Sequence, residues 1–102
     1  MPRRPNALTI TKPDYDFICD VIRNFHGADI ERILTNVKPV NGGYQFTASH
    51  HDCYQLMEVI GIEVMGFQKV DEEREADHLS RPPETTADKL LKIYLVFERY
   101  LG

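Results

Sequence analysis

The sequence predicts a small α+β fold: an antiparallel sheet of about three strands, covered by two helices, with an amphipathic helix at the C-terminus. Three observations point there. One capping signature opens three separate helical stretches, a strong hairpin turn sits between two short strand-like runs, and the apolar spacing alternates between sheet-like and helix-like periods.

The three helix starts are Thr11-Lys12-Pro13-Asp14, Ser49-His50-His51-Asp52 and Thr85-Thr86-Ala87-Asp88. A hydroxyl at the N-cap accepts a hydrogen bond from an unpaired backbone N–H of the first turn. An acidic side chain three residues on can reach back to the cap N–H and suits the positive end of the helix dipole. The first helix is expected from Lys12 to His26, with Gly27 as its C-terminal stop. Tyr15, Phe17, Ile18, Val21, Ile22 and Phe25 gather on one side of it, opposite Asp16, Asp20, Arg23 and Asn24. Before it, Ala7–Thr11 alternates Leu8 and Ile10 with polar neighbours and reads as a strand.

Val37-Lys38-Pro39-Val40, the turn Asn41-Gly42-Gly43 and Tyr44–Ala48 form the expected hairpin. Asn-Gly between two such runs tolerates the positive φ that a tight hairpin needs. Pro39 cannot donate to a ladder, so its strand belongs at an edge or ends early. The preceding Asp29–Leu34 reads as a short helical turn rather than an extension of that strand.

The second helix runs from about Asp52 at least to Ile60. Beyond it, Ile62, Val64 and Gly66 alternate as a strand would, whereas Leu56, Ile60, Val64, Phe67 and Val70 keep helical spacing. The helical continuation is preferred, although Gly61 and Gly66 each cost about 1 kcal/mol relative to alanine. Pro82-Pro83 ends it either way. Residues 69–84 are thus a charged segment and a break before the third helix, and residues 1–6 read as a flexible tail on one domain spanning 1–102. Thr9–Ile22 and Thr47–Ile60 share Thr9/Thr47, Asp14/Asp52, Val21/Val59 and Ile22/Ile60, a match explained by two strand–cap–helix units written in one local code.

The third helix, from about Thr86 to Leu101, carries an unusually wide apolar arc. Leu90, Ile93, Tyr94, Phe97, Tyr100 and Leu101 form its centre, extended by Leu91, Leu95 and Val96. Such a face exceeds what one neighbouring layer covers. The expectation is a homodimer through this helix; the alternative is that the sheet leaves a face open and the helix covers it.

Composition narrows the function classes. Of 102 residues, 42% are apolar and 27% charged, ordinary values for a globular chain. Two cysteines, Cys19 and Cys53, do not make a disulfide framework, and no run approaches the ~20 apolar residues of a membrane span. Met1–Asn6 has no apolar run behind its charge and so does not read as a signal peptide. The expectation is a cytoplasmic protein. A net charge of −4 disfavours general nucleic-acid binding, for which Arg3 and Arg4 offer only one basic pair.

His50, His51, Asp52 and Cys53 crowd reactive side chains together. Imidazole and thiolate suit zinc, yet adjacent helical histidines diverge by about 100°, and only His50 and Cys53 share a face. Further ligands would have to come from Cys19, His26 or His78. Cys19 and His26, seven apart, lie roughly 10.5 Å apart along a helix and would not chelate together. Cys53 as a reactive thiol is favoured by a helix N-terminus and a nearby imidazole, but it stands too far into the helix to meet the N–H groups. Asp71–Asp77 is acidic without calcium-loop spacing, and phosphate-loop, dinucleotide and Gly-x-Ser-x-Gly patterns are missing. The expected function is a small non-enzymatic interaction or regulatory protein without cofactor. A metal- or thiol-dependent enzyme centred on His50, His51 and Cys53 and a nucleic-acid-associated factor stand as alternatives.

Overall fold

The computed structural model describes residues 7–23, 26–77 and 83–102. The element order is β1 (Leu8–Thr11), α1 (Lys12–Ile22), α2 (Gly27–Thr35), β2 (Val37–Val40), β3 (Gly43–Phe46), α3 (His50–Ala76) and α4 (Thr86–Leu101). This is the expected α+β class, with an antiparallel three-stranded sheet in the order β1-β3-β2.

The hairpin forms as its turn chemistry dictates. Val40 pairs with Gly43 across Asn41-Gly42, and Gly42 takes a φ of +83° that a side chain would strain. β2 is an edge strand, which accommodates Pro39. Leu8, Phe46 and Val37 share one register row, and Ile10, Tyr44 and Pro39 another. Leu8, Ile10 and Phe46 are buried while Thr9 and Thr11 are exposed, so one sheet face is covered and the other is open. Backbone bonds tie both ends of the sheet down. The Lys12 N–H donates to the Gly42 carbonyl at 3.2 Å, and the Thr47 N–H donates to that of Asn36 at 3.0 Å.

All three expected N-caps are present. The N–H groups of Asp14, Asp52 and Asp88 donate to the hydroxyls of Thr11, Ser49 and Thr85 at 3.3, 3.1 and 3.1 Å. At α4 the box is reciprocal: the Thr85 N–H also donates to the Asp88 carboxylate at 3.0 Å. Asp52 instead takes the Arg32 guanidinium at 3.3 Å, which links α2 to α3.

Two local expectations need correction. The first helix ends at Ile22 rather than His26, with the Arg23 N–H bonded to the Cys19 carbonyl; Asn24 and Phe25 lie outside the described residues. His26 is the N-cap position of α2 rather than the end of the first helix, and Gly27, at φ +86°, opens α2. The segment read as one helical turn is a nine-residue helix that buries Ile30, Ile33 and Leu34. Its end is fixed by the Tyr15 hydroxyl, which donates to the Leu34 carbonyl at 2.6 Å. Burial, with a smaller contribution from Cys19, pushes that phenol up to about 12, so it stays a donor.

The ambiguous stretch after Ile60 is helix, and α3 runs unbroken for 27 residues. At 1.5 Å per residue that is about 40 Å, close to the 43 Å longest dimension of the molecule. Its N-terminal part buries Cys53, Leu56, Met57, Ile60 and Val64, and after Val64 this helix buries no further residue. α3 packs most extensively on α4, whereas α1 and α4 are the helices that meet the strands most closely. Residues 1–6 and Pro82 lie outside the described residues.

The cap geometry makes a graded prediction. Thr11→Ala and Ser49→Ala should each destabilise by about 1 kcal/mol, and Thr85→Ala by nearer 2 kcal/mol, because Thr85 is buried and its box is reciprocal. Urea unfolding midpoints measure this. Unchanged midpoints in all three variants would contradict the assigned helix starts.

Candidate functional site

The His50–Cys53 segment forms the first turn of α3, and its four side chains go to different surroundings. His50 is exposed and lies beside Tyr100 of α4, ring centroids 5.1 Å apart. His51 is exposed, and Asp52 faces Arg32. Cys53 points inward, 1% exposed, with its S–H towards the Ala48 carbonyl at 3.8 Å. Burial first, then the Asp52 charge, push its thiol up from the ordinary value. That is opposite to what a nucleophilic cysteine requires.

The other ligand candidates stand elsewhere. His26 pairs with Glu63 at 2.8 Å. Cys19 is buried on α1, its thiol raised mainly by burial, and His78 lies outside the described residues. Among the described residues, no three His, Cys, Asp or Glu side chains gather where they could hold a metal ion.

The wide apolar arc of α4 lies largely against the chain's own core. Leu90, Ile93 and Phe97 are at most 1% exposed inside the chain's own core, and Tyr94, Tyr100 and Leu101 pack against it half-buried. Leu90, Ile93 and Phe97 are therefore enclosed within the chain, while Tyr94, Tyr100 and Leu101 stay partly accessible. The arc is wide because α4 has two neighbours within the chain: the sheet, through Phe97 against Phe46 at 5.4 Å, and α3. This is the covering role weighed above as the alternative.

What α4 leaves outside is a flank, and α3 completes it. Leu91 is 37% exposed and Leu95 51%; α3 exposes Ile62 by 56% and Met65 by 64%. The helices run antiparallel, with Gly61 beside Tyr94 and the Gln68–Glu75 stretch beside Asp88. Between them lies an open groove of about 530 Å³, lined by Ile62, Met65, Leu91 and Tyr94 with Glu58 and Gln68 at its margins. A side chain at position 61 would press on the Tyr94 ring, so Gly61 lets that ring form the floor. A neighbouring pocket that shares Gln68 is lined by Asp71 and Glu72, and another that shares Leu91 lies on α4 and the residues before it, lined by Leu95 and by Lys92, which pairs with Glu84.

Apolar walls and carboxylate margins suit recognition; neither histidine nor thiol lines the groove. The residues missed in the sequence are Ile62 and Met65. Their signal was present: on a helical wheel they fall well away from the Cys53–Leu56–Ile60–Val64 face.

The chain matches no family model, and no curated protein or solved structure shows significant similarity to it. No described helix is long and apolar enough to cross a membrane.

The thiol environments predict slow chemistry. Cys53 and Cys19 should react with a disulfide reagent at pH 8 at least about tenfold more slowly than a free thiol, because burial and the raised pKa both reduce accessible thiolate. The rate should climb with pH later than a free thiol's and become ordinary on unfolding. Added zinc should leave the melting temperature unchanged, since a ligand that binds only the folded state would raise it. Fast labelling of Cys53, or a zinc-dependent rise lost in His50→Ala, would contradict this description.

Proposed function

We propose that the protein is a small non-enzymatic interaction or regulatory protein whose working surface is the outer seam of α3 and α4. The observation that carries this reading is the gathering of Ile62, Met65 and Leu91 around one open groove, each more than a third exposed. Scattered surface apolar residues need no explanation, but clustered ones around a concavity mark binding surfaces. We take the cytoplasm as the site of action, where two unpaired cysteines persist as thiols.

A homodimer through α4 is the second reading, favoured by Leu91 and Leu95 lying outward together on that helix. A self-complementary patch is most simply satisfied by a two-fold contact. The thiol- or metal-enzyme reading loses support from the inward Cys53 and the divergent histidines. The nucleic-acid reading depends on Arg3 and Arg4, outside the described residues, against an acidic seam.

The paired substitution Ile62→Gln/Met65→Gln tests the first reading. Both positions are more than half exposed, so stability should stay within about 0.5 kcal/mol per site. Native-host proteins that co-purify with the wild type should be lost with the pair; identical recovery with both baits would contradict the reading. Light scattering tests the second: a mass of two chains falling to one in Leu95→Glu supports it, and a wild-type mass of one chain contradicts it.

A further inference from the structure

We infer that the α3–α4 groove docks a basic amphipathic helix of a partner protein. The inference rests on the reading of this seam as the working surface and adds the class of its occupant. Two features of the groove select it.

The first is shape. Two antiparallel helices leave a straight trough along their seam, with Ile62 and Met65 on one wall and Leu91 on the other, over the Tyr94 ring. A trough of that form accepts the apolar face of a helix, read as side chains at i, i+3 or i+4, and i+7.

The second is charge. Glu58 stands at one end of the apolar stretch, and Asp71 and Glu72 stand beyond Gln68 at the other. Among the described residues, no lysine or arginine lines the groove or the neighbouring pocket that holds Asp71 and Glu72. Asp88 caps α4 and also faces this space. A second copy of the same face would set carboxylates against carboxylates, and like charges across an interface are costly. Lysine or arginine on the flanks of an incoming helix meets the acidic margins while its apolar face fills the centre. The acidic run of α3, without a calcium-loop pattern of its own, supplies one margin of this site.

Fluorescence anisotropy on the full chain tests the inference, using a labelled peptide of about 18 residues, five helical turns. Its leucines follow the i, i+3, i+4, i+7 pattern and its remaining positions are lysine. The wild type should bind it at least about tenfold more tightly than a scrambled peptide of the same composition. Ile62→Gln/Met65→Gln should weaken binding by a similar factor, as should Glu58→Lys/Glu72→Lys, and added salt should weaken it further. Equal affinity for the scrambled peptide, or affinity unaffected by Ile62→Gln/Met65→Gln, would reduce the interaction to general charge attraction and overturn the inference. A two-chain mass that falls to one in Ile62→Gln/Met65→Gln would overturn it in favour of a second copy, while leaving the seam as the working surface. No binding and a one-chain mass, with co-purifying proteins unaffected by the pair, would overturn both.

Discussion

The packing of α4 between the sheet and α3 is the contact on which the other elements depend. Three four-residue strands cannot stand alone in water; they need a covered apolar face. Phe97 provides much of that cover through its edge-on contact with Phe46, while Leu90 and Ile93, on the same side of the helix, are buried with it in one apolar core that includes Ile60 and Val64. Fully burying side chains of this size stabilises by about 1.5–3 kcal/mol each, so this one face outweighs any single cap. α1 closes the rest of the sheet through Tyr15, whose ring lies 4.4 Å from that of Tyr44.

What remains outside follows from that arrangement. With its apolar face turned inward, α4 leaves Leu91 exposed at the seam, where the long α3 lays Ile62 and Met65. The polar first turn of α3 meanwhile serves structure: Ser49 caps it, Asp52 holds Arg32, and Cys53 fills the core. Asp52 and Cys53 are therefore occupied by folding, while His50 and His51 stay exposed. The aliphatic residues Ile62, Met65 and Leu91 of the seam stay exposed.

Features encoded within a few residues were legible before the structure. The three hydroxyl caps, the Asn41-Gly42 turn and the edge position of Pro39 each follow from local chemistry, and all appear as expected. The helical continuation past Ile60 was legible from apolar spacing, because two helical glycines cost less than breaking a buried face. The end of α1 and the extent of α2 were not: Gly27 suits a helix stop and an entry into the next helix equally well. The direction of the C-terminal face was also hidden. A helical wheel gives the width of an apolar arc but not how many neighbours share it, so an arc filled by the sheet and α3 reads the same as one waiting for a second chain. For the same reason Ile62 and Met65 gained meaning only once α4 was placed beside them.

The central claim is that the broad face of α4 is spent inside the chain and its narrow flank faces outward. Comparing Phe97→Ala with Leu95→Ala by urea unfolding tests it most directly. These residues lie two positions apart on one helix, 0% and 51% exposed. The account predicts a loss of about 3–5 kcal/mol for Phe97→Ala and no more than about 0.5 kcal/mol for Leu95→Ala. A Phe97→Ala variant as stable as Leu95→Ala would contradict it, for that face would then lie outside the core.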